Sequence, residues 1–231
     1  SMMFLAQDRK RSLTEMAGDL SGVTFHEKLG SMKQKPERLK QQAETLTEIW
    51  GLTNEERAHL RRACELAKAD LVSTMVKEFP TLQGIVGRYY AAESKEPQAV
   101  ADAIGEQYLP LGAQLPTTLI GSALALLDKY DTLAGYFSLG IAPTGDQDPF
   151  GLRRAAQGIV EVGWAMHRPL PLQELFATWQ PLAAVVAESV VDREGLAEHE
   201  GVVDDVGLAL APDEEALARH AAGLFPAEGD R

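Results

Sequence analysis

The chain has 231 residues, 45% of them hydrophobic, with a formal net charge of −12. That is enough apolar material for a sizeable buried core, and the wrong sign for a general nucleic-acid coat. The single cysteine, Cys64, excludes an internal disulfide and any site built on two cysteine ligands; no stretch has the length of a membrane-spanning helix and no apolar signal segment opens the chain, so a cytoplasmic protein without a membrane partner is expected.

Ser1-Met2 before Met3 reads as a tag remnant, and 1–30 as a lead-in segment to a helical domain over 31–168. Pro36 suits a first helical turn, where its missing N–H costs nothing. Leu39, Ala43, Leu46 and Trp50 follow at helical spacing and Gly51 supplies a stop. Thr53 and Glu56 form a capping-box pattern. The helix behind it is expected to carry Leu60, Cys64, Ala67, Leu71 and Met75 on one face and to end at Phe79-Pro80. Cys64 then reads as a small buried hydrophobe.

Pro97 opens a shorter helix with Val100, Ile104 and Tyr108. The segment from Pro116 to Tyr136 is apolar nearly all round, which predicts a central, buried helix. Residues 143–149 are turn-rich, and Asp148 can cap a helix that Pro149 begins and that runs to about His167. After Arg168 proline, glycine and acid become frequent, with a break at Pro181 and a helical pattern at 214–224. A boundary is therefore placed near 169, with 169–231 a smaller acidic helical appendage. No strand alternation or internal repeat is visible, and the fold class read from the pattern is all-α.

Charge is uneven along the chain. Residues 1–50 hold 8 Lys/Arg against 7 Asp/Glu, residues 51–164 hold 10 against 14, and residues 165–231 hold 4 against 13. A phosphate-binding surface belongs in the first two-thirds. The histidines are scattered at 26, 59, 167, 199 and 220, with no helical pair at metal-ligand spacing. There is no phosphate-cradling glycine loop and no nucleophile elbow. Arg153 and Arg154 fall in the first turns of a helix, where the macrodipole disfavours cations. They read either as kept for a partner or as paired with Asp146 or Asp148.

Four segments carry a resemblance: FHEKLGSMKQKPERL (25–39), AKADLVSTMVKEFPTLQGIVGRYYA (67–91), AIGEQYLP (103–110) and DKYDTLAGYFSLGIAPTGDQDPFGLRRAA (128–156). In this order they resemble the β subunit of the heterotetrameric bacterial glycyl-tRNA synthetase, over about 4–165, with PTGDQDPFGLRR the most specific stretch. The resemblance implies a ligase in which the α subunit makes glycyl-adenylate from glycine and ATP, with Mg²⁺, while the β subunit binds tRNA-Gly. No cofactor is expected on this chain. Its partners would be the α subunit and the remainder of β. The family's anticodon-binding helix is not found in 169–231, so that role is not carried over.

The matched region of the family resembles HD phosphohydrolases, implying an HD-like helical bundle. Their metal ligands fall here on Lys35, Ala69-Asp70 and Asp128. Two imidazoles are gone, and an ammonium has no lone pair to offer a metal. A vestigial site is expected, with Lys35, or else Lys68 or Arg38, paired to Asp70 or Asp128. RNA contact is expected through Lys33, Lys35, Arg38, Arg88, Arg153 and Arg154. Two other readings stand beside the tRNA-binding scaffold: a residual metal-dependent nucleotide phosphohydrolase and a pure subunit-contact module.

Overall fold

The computed structural model describes residues 2–143 and 148–179. The helical patterns expected around Pro181 and at 214–224, and most of the turn at 143–149, lie outside the described residues. Helices dominate: α1 (Met2–Asp8), α2 (Leu13–Gly18), α3 (Gln34–Trp50), α4 (Asn54–Leu66), α5 (Thr74–Glu78), α6 (Ile85–Glu93), α7 (Gln98–Glu106), α8 (Leu119–Ser138) and α9 (Leu152–Met166), with residues 172–179 also helical. Among the described residues the fold is all-α apart from a small antiparallel hairpin, β1 (Thr24–His26) and β2 (Gly30–Ser31), and an isolated bridge between Leu111 and Gln114. The hairpin is too short for a visible alternation.

α8 is the axis of the domain. It packs against α3, α4, α7 and α9, and Leu124, Leu126 and Leu127 are fully buried, each contributing roughly 1.5–3 kcal/mol. Thr118 caps its start by accepting from the Gly121 N–H. The Glu106 carboxylate receives the N–H and hydroxyl of both Thr117 and Thr118, which ties the end of α7 to the start of α8.

α3 and α4 form a helical hairpin. Gly51 ends α3 in the left-handed region at φ +63°, and the Thr53–Glu56 capping box starts α4 two residues later. The helix expected to continue to Phe79 does not. α4 stops at Leu66, Lys68 turns the chain at φ +67°, and 3-10 turns at Ala69–Val72 and Pro80–Leu82 flank the short α5. α9 begins at Leu152 rather than Pro149. Asp148 still caps it, its carboxylate accepting from the Leu152 and Arg153 N–H groups at 2.7 and 2.9 Å.

The segment 1–30 is more than a lead-in. Leu5, Leu13, Met16, Leu20 and Leu29 join the same core. Asp8, 5% exposed, accepts from Thr74 N, Met75 N and Tyr90 Oη at 2.8, 2.9 and 2.8 Å, joining α1 to α5 and α6. Beyond residue 169 the chain stays on the domain: Pro169 accepts from Trp50 Nε1, Leu172 from Tyr130 Oη, and Leu175 and Trp179 are buried. Among the described residues no helix is long and apolar enough to cross a membrane.

Candidate functional site

Asp128 and Asp131 stand three residues apart on α8, so they share one face of an otherwise apolar helix. The face meets the first turns of α3. There the Lys35 ammonium lies 3.2 Å from Asp128 Oδ1 and 3.1 Å from Asp131 Oδ2. It also donates to the Asp128 carbonyl and to Thr132 Oγ1, both at 3.0 Å. Arg38 grips Asp131 in a fork, Nε to Oδ1 at 2.7 Å and Nη2 to Oδ2 at 2.9 Å, the geometry in which a guanidinium binds a carboxylate most strongly. Trp179 Nε1 donates to the same Oδ1 at 3.0 Å. The Phe25 ring covers the cations, 4.7 Å from Lys35 Nζ and 5.9 Å from Arg38 Cζ.

A second lysine arrives from the broken segment after α4. Lys68 Nζ donates to Asp128 Oδ2 at 2.8 Å and sits 3.8 Å from the Tyr108 ring centre. The Lys68 N–H donates to the side-chain carbonyl of Gln107. A positive φ in a residue other than glycine costs backbone energy and persists where the surroundings over-determine it. Here the ion pair, the ring and the Gln107 hydrogen bond do so together. Asp70 follows two residues later, fully buried, its Oδ2 accepting from the Gly84 N–H at 2.6 Å beside the Tyr108 ring.

Burial alone would raise both α8 carboxyls, yet the cations outweigh it. Lys35 and Lys68 hold Asp128 well below the ordinary carboxylate range, and Lys35 and Arg38 hold Asp131 below it. Asp70 differs: burial pushes it up, only partly opposed by the Gly84 N–H and Lys68. Burial lowers Lys68 despite Asp128, and it raises the Tyr108 hydroxyl, as do the nearby Asp70 and Asp128 charges.

The donor set does not fit an HD-type metal. Ala69 offers no ligand, and Asp128 is already paired with two ammonium groups. Among the described residues no three His, Cys, Asp or Glu side chains converge as metal ligands. The arrangement is a buried ionic lock joining β1, α3, the turn after α4, the end of α7, α8 and the 172–179 helix.

The residues expected to contact RNA separate into two groups. Lys35 and Arg38 are 2% and 3% exposed and are committed to Asp128 and Asp131, so they are corrected from RNA contacts to internal partners. Lys33, Arg88, Arg153 and Arg154 are exposed. Arg88 pairs with Asp102 at 2.7 Å. Asp148 gives its carboxylate to the backbone at the start of α9, and Arg153 and Arg154 are exposed on that helix. Of the vestigial set, Lys35 and Asp128 are brought together, while Asp70 is held on Gly84 without a bond to Lys35.

The sequence alone assigns no site role to Asp131, Phe25, Gln107, Tyr108 or Trp179. Asp131 carried a usable signal: two carboxylates three apart on a helix apolar all round must find cations. The others are distant in sequence, and nothing local marks them.

A family model described as glycyl-tRNA synthetase beta subunit matches residues 1–205. The glycine–tRNA ligase beta subunit of Streptococcus suis (strain 05ZYH33) is 46% identical over 176 residues, covering 75% of this chain and 26% of its own. That of Trichodesmium erythraeum is 45% identical over 174 residues, 74% of this chain and 24% of its own. That of Streptococcus thermophilus is 47% identical over 174 residues, with 74% and 26% covered. The chain spans about a quarter of the length of the curated relatives it matches.

Proposed function

The chain belongs to the glycyl-tRNA synthetase β-subunit family, and from that premise we propose that it is a non-catalytic helical scaffold of the ligase, contacting tRNA-Gly while the α subunit, using ATP and Mg²⁺, attaches glycine. The observation that carries this reading is the pairing of Asp128 and Asp131 with Lys35, Lys68 and Arg38. Three internal cations around two carboxylates leave the site net positive, which disfavours a metal cation and the water it would activate. Its work is to hold helices in register. Around the lock, Lys33 just before α3, Arg88 on α6 and Arg153 and Arg154 on α9 are exposed, and these are the cations proposed to meet phosphates.

The test is a gel shift with tRNA-Gly across a salt series, with and without the α subunit. Binding should weaken with salt, and each of the four cations removed should reduce the slope of log affinity against log salt by about one unit. The purified chain should form no glycyl-adenylate. Adenylate formation, or tRNA affinity unchanged in a variant lacking all four cations, overturns the reading.

A pure subunit-contact module is favoured by one observation. Trp164 is 77% exposed on α9, with Val160, 41% exposed, one turn before it, and an exposed tryptophan suits a protein interface. Trp164→Ala should then weaken association with the α subunit without altering tRNA affinity.

A further inference from the structure

Phe150 stacks on Tyr136 with ring centres 4.5 Å apart and planes 27° from parallel. His26 stands edge-on to both, 5.3 Å from Tyr136 and 6.2 Å from Phe150. Phe25 also meets Tyr136 edgewise at 5.9 Å. Tyr136 is 6% exposed, whereas Phe150 remains 38% exposed. The Phe150 ring is therefore braced from beneath and open outward.

Cations lie on the same two segments. Exposed Arg153 and Arg154 follow in the first turn of α9. Lys28 is exposed at the tip of the β1–β2 hairpin, close enough for its charge to act on His26. Burial pushes His26 below its ordinary range, so at neutral pH the imidazole is an uncharged aromatic wall. Among the described residues, Glu27 and Asp148 are the acids beside this cluster in the chain, and Asp148 is engaged at the helix start.

We propose that Phe150 is a stacking platform for one unpaired RNA base, with Lys28, Arg153 and Arg154 taking the flanking phosphates; this rests on the tRNA-binding reading above. A fixed aromatic face beside cations matches single-stranded RNA, whose bases are free to stack and whose backbone is anionic. A duplex presents the same phosphates but keeps its base faces inside. Exposed cations on both segments that carry this cluster, the hairpin and the start of α9, are a poor match for an apolar protein surface.

The experiment uses the 231-residue chain and fluorescence anisotropy with two probes, a short unstructured oligouridylate and a blunt-ended RNA duplex. Phe150→Leu should lower affinity for the single strand about tenfold, the worth of one stacked base, and leave duplex binding unchanged. Phe150→Trp should retain single-strand affinity, and circular dichroism should show both variants folded. Arg153→Ala with Arg154→Ala should weaken both probes and reduce the salt slope by up to about two units. Parental single-strand affinity in Phe150→Leu overturns the stacking platform, even where the arginine variant supports tRNA binding. So does an equal loss on both probes. Weakened α-subunit association in Phe150→Leu with RNA affinity intact reassigns the ring to a protein interface and overturns the proposal. A parent chain that binds neither probe nor tRNA-Gly overturns both readings.

Discussion

The Lys35 ammonium lies 3.1 Å from Asp131 Oδ2 across 96 residues of sequence, with Lys35 2% exposed and the Asp131 side chain fully buried. Charges this deep carry a desolvation cost that only mutual pairing offsets. The pair is held on both sides, by Asp128 and Thr132 around Lys35 and by Arg38 and Trp179 around Asp131.

Lys35→Ala should therefore destabilise the chain by about 3 kcal/mol, near the lower end of what breaking a buried ion pair costs. Lys68 and Arg38 still neutralise the two carboxylates in that variant. Urea unfolding followed by circular dichroism measures the loss as a lowered midpoint at unchanged slope. A variant as stable as the parent would show that the lock contributes nothing through Lys35.

The pH response should divide the aspartates. Asp128 and Asp131 have folded pKa values depressed by their cations. The stability they contribute is complete above the ordinary value of about 3.9 and is lost as pH falls below it. Asp70 has the opposite sign: burial raises it, so its charged form costs stability at neutral pH and protonation relieves that cost. Asp70→Asn keeps a carbonyl for the Gly84 N–H and removes the titration. It should raise Tm at pH 7–8 by roughly 2–4 °C, the shift about 1 kcal/mol produces in a domain of this size. The gain should vanish toward pH 4. An equal gain at both pH values would assign the effect to packing instead.

Asp8→Ala tests whether the first helix belongs to the domain. The change strips acceptors from Thr74 N, Met75 N and Tyr90 Oη. Losing a cap and orphaning a buried hydroxyl should together cost about 2–3 kcal/mol. Hydrogen exchange should quicken in α5 and α6 more than in α8. Unchanged exchange in α5 would mean that water replaces the carboxylate there at no cost.

Gly87→Ala sets helix propensity against space. Alanine favours the helix by about 1 kcal/mol. Its Cβ, however, would come within 2.8 Å of Ile104 Cγ2 and 3.1 Å of Asp70 Cγ. Asp70 is pinned by Gly84 and cannot yield freely. Overpacking of about 1–3 kcal/mol should win, giving a net loss in Tm. A stabilised variant would show that α6 and α7 separate easily.

Local chemistry made much of this molecule legible in its sequence. The Gly51 stop and the Thr53–Glu56 capping box mark the α3–α4 hairpin because both signals act within a few residues. The apolar circumference of 116–136 marks α8 as central, since a helix without a polar face has no side to give to water. A lysine near the start of α3 and the acid-bearing stretch of α8 could be placed against one another by resemblance to the HD arrangement.

Tertiary structure decided the rest. Lys35 and Arg38 look from the sequence like surface cations beside Lys33, but α8 presents two carboxylates to their face of α3 and draws them inward. The break at Lys68 has no glycine or proline to announce it. It exists because its ammonium must reach Asp128 and its N–H must reach Gln107. Phe25 and Trp179 close the lock from 154 residues apart in sequence. A short-range pattern states which charges a segment carries. Whether a charge ends in water or in the core depends on the partner that distant segments bring to it, because burial without a partner costs more than any local preference can repay.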